Sequence, residues 1–167
     1  MKSENAMPNH LTIEEATAAD SIEIKALMDR DWGGEPLVVR GEKYFPSAMP
    51  GLISRRDGRL EGFLFYNIDN RGLEIIVFEI FEKFRGLGTR FLDRVKEIAR
   101  SRGITRIFLM TTNDNLDALR FYQKRGFHLC ALHVNSVEVS RKMKPTIGHV
   151  GDYGIPVRDE LDLELIL

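Results

Sequence analysis

The chain has 167 residues, room for a single core, and 43% of them are hydrophobic, which excludes a disordered polypeptide. Its 24 Lys+Arg against 25 Asp+Glu leave it nearly neutral, which argues against a general binder of nucleic acid or another polyanion. The lone cysteine forbids an intrachain disulfide, and no apolar run approaches the roughly 20 residues of a membrane span, so a cytoplasmic protein with no membrane contact is expected.

Residues 1–10, MKSENAMPNH, are polar and lack an apolar signal core, so they read as a disordered lead to one domain over 11–167. Met1 and Met7 are both open as the natural start. Leu11–Thr17 suits a first strand. Asp20 can cap a helix that carries Ile22 and Leu27 to about Met28. Asp31–Gly51 is rich in Gly and Pro and reads as a long irregular loop, of a length often used for functional lids. Two apolar runs flank Asp57-Gly58 within Gly51–Ile68, a hairpin signal. Gly72–Phe81 is strongly β-prone.

Thr89–Arg102 places Phe91, Leu92, Val95, Ile98 and Ala99 on one helical face, and Gly103 stops it. Ile104–Thr112 reads as a buried strand, Asn115–Arg125 as a helix ended by Gly126, and Phe127–Val134 as a further strand. Ser136–Lys144 suits a short helix before Pro145. Leu161, Leu163 and Leu165 alternate with acids in a half-exposed last strand. The pattern is α/β, a mixed sheet flanked by helices.

Gly86 and Gly88 stand between a strand and a helix. The first amides of a helix lack internal partners and its dipole favours negative charge, while glycine admits a phosphate close to the main chain. A Walker loop is excluded because no G-x-x-x-x-G-K-[ST] surrounds Gly86, and a dinucleotide fingerprint because Phe91 replaces its third glycine. A pyrophosphate loop and a tight turn without ligand both stay open on the glycines alone.

Lys83-Phe84-Arg85-Gly86-Leu87-Gly88 resembles the [QR]-x-x-G-x-[GA] acetyl-CoA loop of the GNAT N-acetyltransferases, with Lys83 in the first position. Asn115, Ala118, Tyr122, Gly126 and Phe127 are similar to the N-x-x-A-x-x-x-Y-x-x-x-G-F block of the same family, in the right order and on the right element. The likeness runs over roughly Leu11–Val134, with its specific part at Leu73–Phe127. It implies the GNAT fold: a mixed, mostly antiparallel sheet of about seven strands, splayed between the fourth and fifth, with acetyl-CoA held there as cosubstrate.

The resemblance further implies that amides of Phe78, Glu79 and Ile80 hold the pantetheine arm and polarise the thioester. It gives the pyrophosphate to Gly86, Leu87, Gly88, Thr89 and Arg90, with charge from Arg85 and Arg90. Tyr122 would be the general acid, or else a core aromatic. Asn115 would bond the pantetheine arm, cap its helix, or both. Glu74 and Glu79 compete as general base. Five residues apart, they would face opposite sides of a regular strand, although a bulge could bring either into the cleft. Trp32 would wall the acceptor pocket or anchor its loop. His133 could border the cleft, and Arg158, Asp159 and Glu160 could reach the pocket from the last strand. His10, His128, His133 and His149 lack metal-ligand spacing, so no metal is expected. Cys130, among apolar neighbours, reads as an inert core thiol.

The expected function is acetyl transfer to a small-molecule or peptide amine by direct attack in a ternary complex, in a chain that could form a homodimer as such relatives often do. A non-catalytic acyl-CoA-binding sensor is the alternative.

Overall fold

The computed structural model describes residues 11–82 and 86–167. The expected lead at 1–10, and Lys83, Phe84 and Arg85, lie outside the described residues. Seven strands form one sheet in the order β1, β4, β5, β6, β7, β9, β8. They are β1 (Thr12–Glu15), β4 (Gly51–Arg56), β5 (Arg59–Asp69), β6 (Gly72–Ile80), β7 (Arg106–Thr112), β8 (His128–His133) and β9 (Glu160–Ile166). Among the described residues only β6 and β7 pair in parallel, and the other ladders are antiparallel. The last strand, β9, lies between β7 and β8, so the carboxyl-terminal alternation of leucines and acids is set within the sheet. Asp57 and Gly58, both at positive φ, form the β4–β5 turn expected from their sequence.

Each sheet face buries a separate core. On one side α2 (Leu87–Ser101) and α3 (Leu116–Gln123) pack Phe91, Leu92, Val95 and Tyr122 against Leu73, Ile75, Leu109 and Leu163. On the other, α1 (Ser21–Asp31) and β2 (Leu37–Val39) pack Ile24, Met28 and Val39 against Phe63, Phe65, Ile76 and Val77. The segment expected to be an irregular loop holds a hairpin: β2 pairs with β3 (Glu42–Tyr44) across Arg40-Gly41, both at positive φ. The apolar run Leu37–Val39 is buried and explains this difference, because strand pairing satisfies its backbone where an open loop could not. A short helix, α4 (Val137–Met143), lies next to β2.

The decisive irregularity is in β6. Phe65 pairs with Val77 and Tyr66 with Ile75, leaving Ile76 without a partner in β5. Such a bulge shifts side-chain alternation by one residue and bends the strand. Leu73, Ile75, Phe78 and Ile80 face the α2–α3 core, whereas Ile76 and Val77 face α1. Pairing of β6 with β7 runs only from Leu73 to Ile75, opposite Ile107 to Leu109, and ends at the bulge. Beyond it the strands diverge.

Candidate active site

The divergence of β6 and β7 opens a cleft of about 230 Å³. Phe78 of β6, Asn115 and Tyr122 of α3, Trp32 after α1, and Ser140, Lys144 and Glu160 stand in its wall. Past Ile75 the edge of β6 facing β7 has no ladder partner among the described residues, so its backbone groups are open to a ligand lying along it. Glu79 and Ile80 continue this edge while pairing with Phe63 and Gly62 of β5 on the other side.

Helix α2 begins two residues earlier than its apolar pattern indicates. Gly86 is its N-cap, at φ +75°, and open space surrounds the position where a Cβ would sit. Gly88 lies inside the first turn rather than before it. A Cβ there would stand 2.8 Å from the Phe121 ring, so its small size also serves the packing of α2 on α3. Leu87 is buried in the core. Thr89 accepts two bonds from Arg125, at 3.0 and 2.8 Å, and that guanidinium lies 3.8 Å over the Phe121 ring. Arg125 thus brings a fixed positive charge to the start of α2. Nothing in the sequence singles Arg125 out, because its reach back to Thr89 depends on how α2 and α3 pack. Arg90 donates to the Leu11 carbonyl at 3.0 Å, and Arg85 lies outside the described residues.

Tyr122 is 6% exposed and has its ring between Phe121 and Phe127, at 5.1 and 5.2 Å. Burial pushes its phenol far above the usual range, so it remains protonated at physiological pH. Asn115 caps α3, its Oδ1 accepting from the Ala118 N–H at 3.1 Å, while also lining the cleft.

The two glutamates of β6 do not face opposite sides. The bulge at Ile76 turns both toward α1 and the β2–β3 hairpin. Glu74 lies where β6 and β7 are still paired and is absent from the cleft wall. It is 1% exposed, accepts from Arg40 Nη1, and lies 3.6 Å from Arg71. Arg40 also joins Asp162 at 2.6 Å. Burial pushes the Glu74 carboxyl up, against the pull of the two guanidinium groups. Glu79 Oε2 accepts from Trp32 Nε1 at 2.9 Å, so Trp32 both lines the cleft and ties the end of α1 to β6.

His133 lies outside the cleft wall, its Nε2 2.9 Å from Asp162. Arg158 is likewise outside and pairs with Asp159 at 2.8 Å. From the RDE segment it is Glu160 that enters the wall, since its position opposite Thr112 on β7 sets it at the open end of the pair. Cys130 is exposed rather than in the core, because β8 is an edge strand whose pairing with β9 slips between Leu129 and Ala131. Ser140 and Lys144 carry no recognisable signal in the sequence; only the packing of α4 beside β2 places them here. Among the described residues no group of His, Cys, Asp or Glu could hold a metal ion, and no helix is long and apolar enough to cross a membrane.

A mixed sheet opened at its one parallel pair, with a glycine-started helix beside the opening, defines the class: an α/β acyltransferase fold. The chain belongs to the acetyltransferase (GNAT) family, which matches residues 21–127. It is 39% identical over 139 residues to the uncharacterized protein YxbD of Bacillus subtilis, covering 83% of this chain and 87% of that one. It is 29% identical over 143 residues to the mycothiol acetyltransferase of Clavibacter michiganensis, covering 78% of this chain and 47% of that protein. In fold it is similar to an IAA acetyltransferase of Bacillus cereus, with TM-score 0.72 and 17% identity over 95% of this chain and 100% of the other. It is also similar to an acetyl-CoA-bound GNAT acetyltransferase of Elizabethkingia anophelis, with TM-score 0.68 and 21% identity over 96% and 99%.

Proposed function

We propose that this protein transfers the acetyl group of acetyl-CoA to a primary amine by direct attack within a ternary complex. The observation that carries this reading is the cleft itself. An unpaired strand edge and a buried phenol line it, and the first turn of α2 lies at Gly88 beside Phe78 of its wall. The residues fit acetyl-CoA. The open edge of β6 from Phe78 to Ile80 can bond the pantetheine arm, and amides of Leu87, Gly88 and Thr89, with Arg125 beside them, suit the pyrophosphate. An acetyl-CoA-bound relative of the same fold supports that choice of ligand.

The acceptor ammonium loses one proton to water, and its nitrogen attacks the thioester carbon. The carbonyl oxygen gains negative charge, which an open amide of β6 can stabilise by roughly 3 kcal/mol. The carbon–sulfur bond then breaks, Tyr122 gives its proton to the thiolate, and the nitrogen of the adduct returns one to Tyr122. The net products are the amide, CoA thiol and one proton. Burial keeps the Tyr122 phenol protonated, so the proton is present throughout the working pH range.

The test is release of CoA thiol from acetyl-CoA across a panel of primary amines, with Tyr122→Phe alongside. Amine-dependent release, lowered in the variant, is the expected result. Failure to bind CoA, or binding without release on any amine, would overturn the reading, the second outcome favouring an acyl-CoA sensor.

A further inference from the structure

Glu160 is 5% exposed and stands in the cleft wall at the open end of the β6–β7 pair. Its Oε1 accepts a 2.8 Å bond from the Ser140 hydroxyl, a neutral donor. A carboxylate this deeply buried ordinarily carries a paired cation. Here each neighbouring cation is committed elsewhere. Lys144 Nζ donates to the Gly34 carbonyl and faces the carboxylates of Glu35 and Asp29. Arg141 pairs with Glu138 and donates to the carbonyls of Ile147, Gly148 and Val157. His133, opposite Glu160 in the β8–β9 ladder, bonds Asp162, and Arg40 bridges Glu74 and Asp162. Among the described residues no ammonium or guanidinium pairs with Glu160.

Among the described residues that line the cleft Glu160 is the one carboxylate, and Lys144, a helical turn from Ser140, turns its ammonium to the Gly34 carbonyl. Val39, Met110, Val137 and Ile147 give the wall apolar surface, while Thr111 and Thr112, the latter the ladder partner of Glu160, add polar side chains. The enclosed part of the cleft holds about 230 Å³. Part of it must also take the acyl end of the donor.

We propose that Glu160, oriented by Ser140, is the receptor for the acceptor's ammonium, and that the acceptor is a small monoamine with a short apolar body. The inference rests on the acetyl-transfer reading for the word acceptor, and deepens it by assigning the substrate class. The incoming cation supplies the countercharge that the fold withholds from Glu160. The rest of the described lining offers no second carboxylate to an ammonium further in, which selects against diamines and polyamines. Ser140 acts as a positioning residue, through Glu160.

The test is calorimetric titration of the full chain, with CoA present, using isobutylammonium, its neutral counterpart isobutanol, and cadaverine. Wild type should bind isobutylammonium at least about tenfold more tightly than isobutanol, and cadaverine about tenfold more weakly than isobutylammonium. Glu160→Gln keeps an acceptor for Ser140 and removes the unpaired buried charge. It should fold with an unchanged or higher melting temperature and lose the preference for the cation. Equal binding of isobutylammonium and isobutanol by wild type, or a preference surviving in Glu160→Gln, would overturn the role of Glu160. Cadaverine binding as tightly as isobutylammonium would overturn the monoamine class. Thiol release from acetyl-CoA in the same samples separates the two readings. Cation selectivity without release defeats acetyl transfer alone, and release without selectivity defeats the role of Glu160 alone.

Discussion

Glu74 and Glu79 of β6, five residues apart, present their carboxylates to the same face of the sheet because Ile76 is an extra residue with no partner in β5. The same bulge ends the ladder to β7, so one inserted residue both opens the cleft and re-aims two acids. Glu74 is left behind the opening, in a buried network with Arg40, Arg71 and Asp162.

On that placement we expect Glu74 to hold the fold rather than to act as the base. Arg40→Met strands a buried carboxylate and should destabilise the fold by about 3–5 kcal/mol, read as a drop in the denaturant midpoint. Glu74→Gln should cost less stability and lower kcat/KM for amine acetylation by less than about tenfold, well short of the loss of a general base. A loss near a thousandfold in a folded Glu74→Gln protein would return Glu74 to the chemistry.

The two glycines of the α2 start should respond differently to alanine. At Gly86 there is space for a Cβ but φ is +75°, so the cost is conformational, about 1–2 kcal/mol. At Gly88 the added Cβ meets the Phe121 ring at 2.8 Å, an overpacking cost of about 1–3 kcal/mol. Pairing Gly88→Ala with Phe121→Leu should recover part of that loss, whereas Phe121→Leu should not rescue Gly86→Ala. Melting temperatures of the single and double variants check this.

Tyr122→Phe keeps the ring between Phe121 and Phe127 and removes only the proton donor, so the fold should persist while amine-dependent thiol release falls about a hundredfold. The phenol pKa is raised, so its ionisation should produce no alkaline limb in kcat up to about pH 10, the ordinary tyrosine value. A limb below that value, absent from Tyr122→Phe, would contradict the assignment.

Asp20 accepts from the Thr17 N–H at 2.8 Å and from Arg55 at 2.9 Å, and these contacts hold its carboxyl below the usual range. A folded-state pKa below the unfolded one stabilises the protein above the unfolded value of about 3.9. The contribution is lost as pH falls through the folded value. Asp20→Asn should therefore lower stability by about 1 kcal/mol at neutral pH, with the difference from wild type vanishing in strong acid. Denaturant midpoints across an acid series measure it.

The order and type of most elements were legible because they rest on local chemistry. The Asp57-Gly58 turn, the amphipathic face of α2 and the Asn115 cap each depend on residues within a few positions of one another. The hairpin inside Asp31–Gly51 was not legible, because two three-residue strands carry too little periodicity to declare themselves. Gly88 was legible as a glycine that must be small, but Phe121, which demands it, lies 33 positions further on.

By itself, then, the sequence determined the family, the sheet flanked by helices and the two blocks at Gly86-Leu87-Gly88 and Asn115–Phe127, since these are set by residue type and local spacing. Tertiary structure alone decided which acids meet the cleft. A bulge has no sequence signature of its own, and the one at Ile76 sets where the opening begins, leaving Glu74 on the paired side of it. Insertion of β9 between β7 and β8, with α4 over its start, brings Glu160 and Ser140 into contact. Burial and countercharge are properties of the assembled neighbourhood, so whether a carboxylate is neutralised, as at Glu74, or left without a cation, as at Glu160, is settled only when distant strands are side by side.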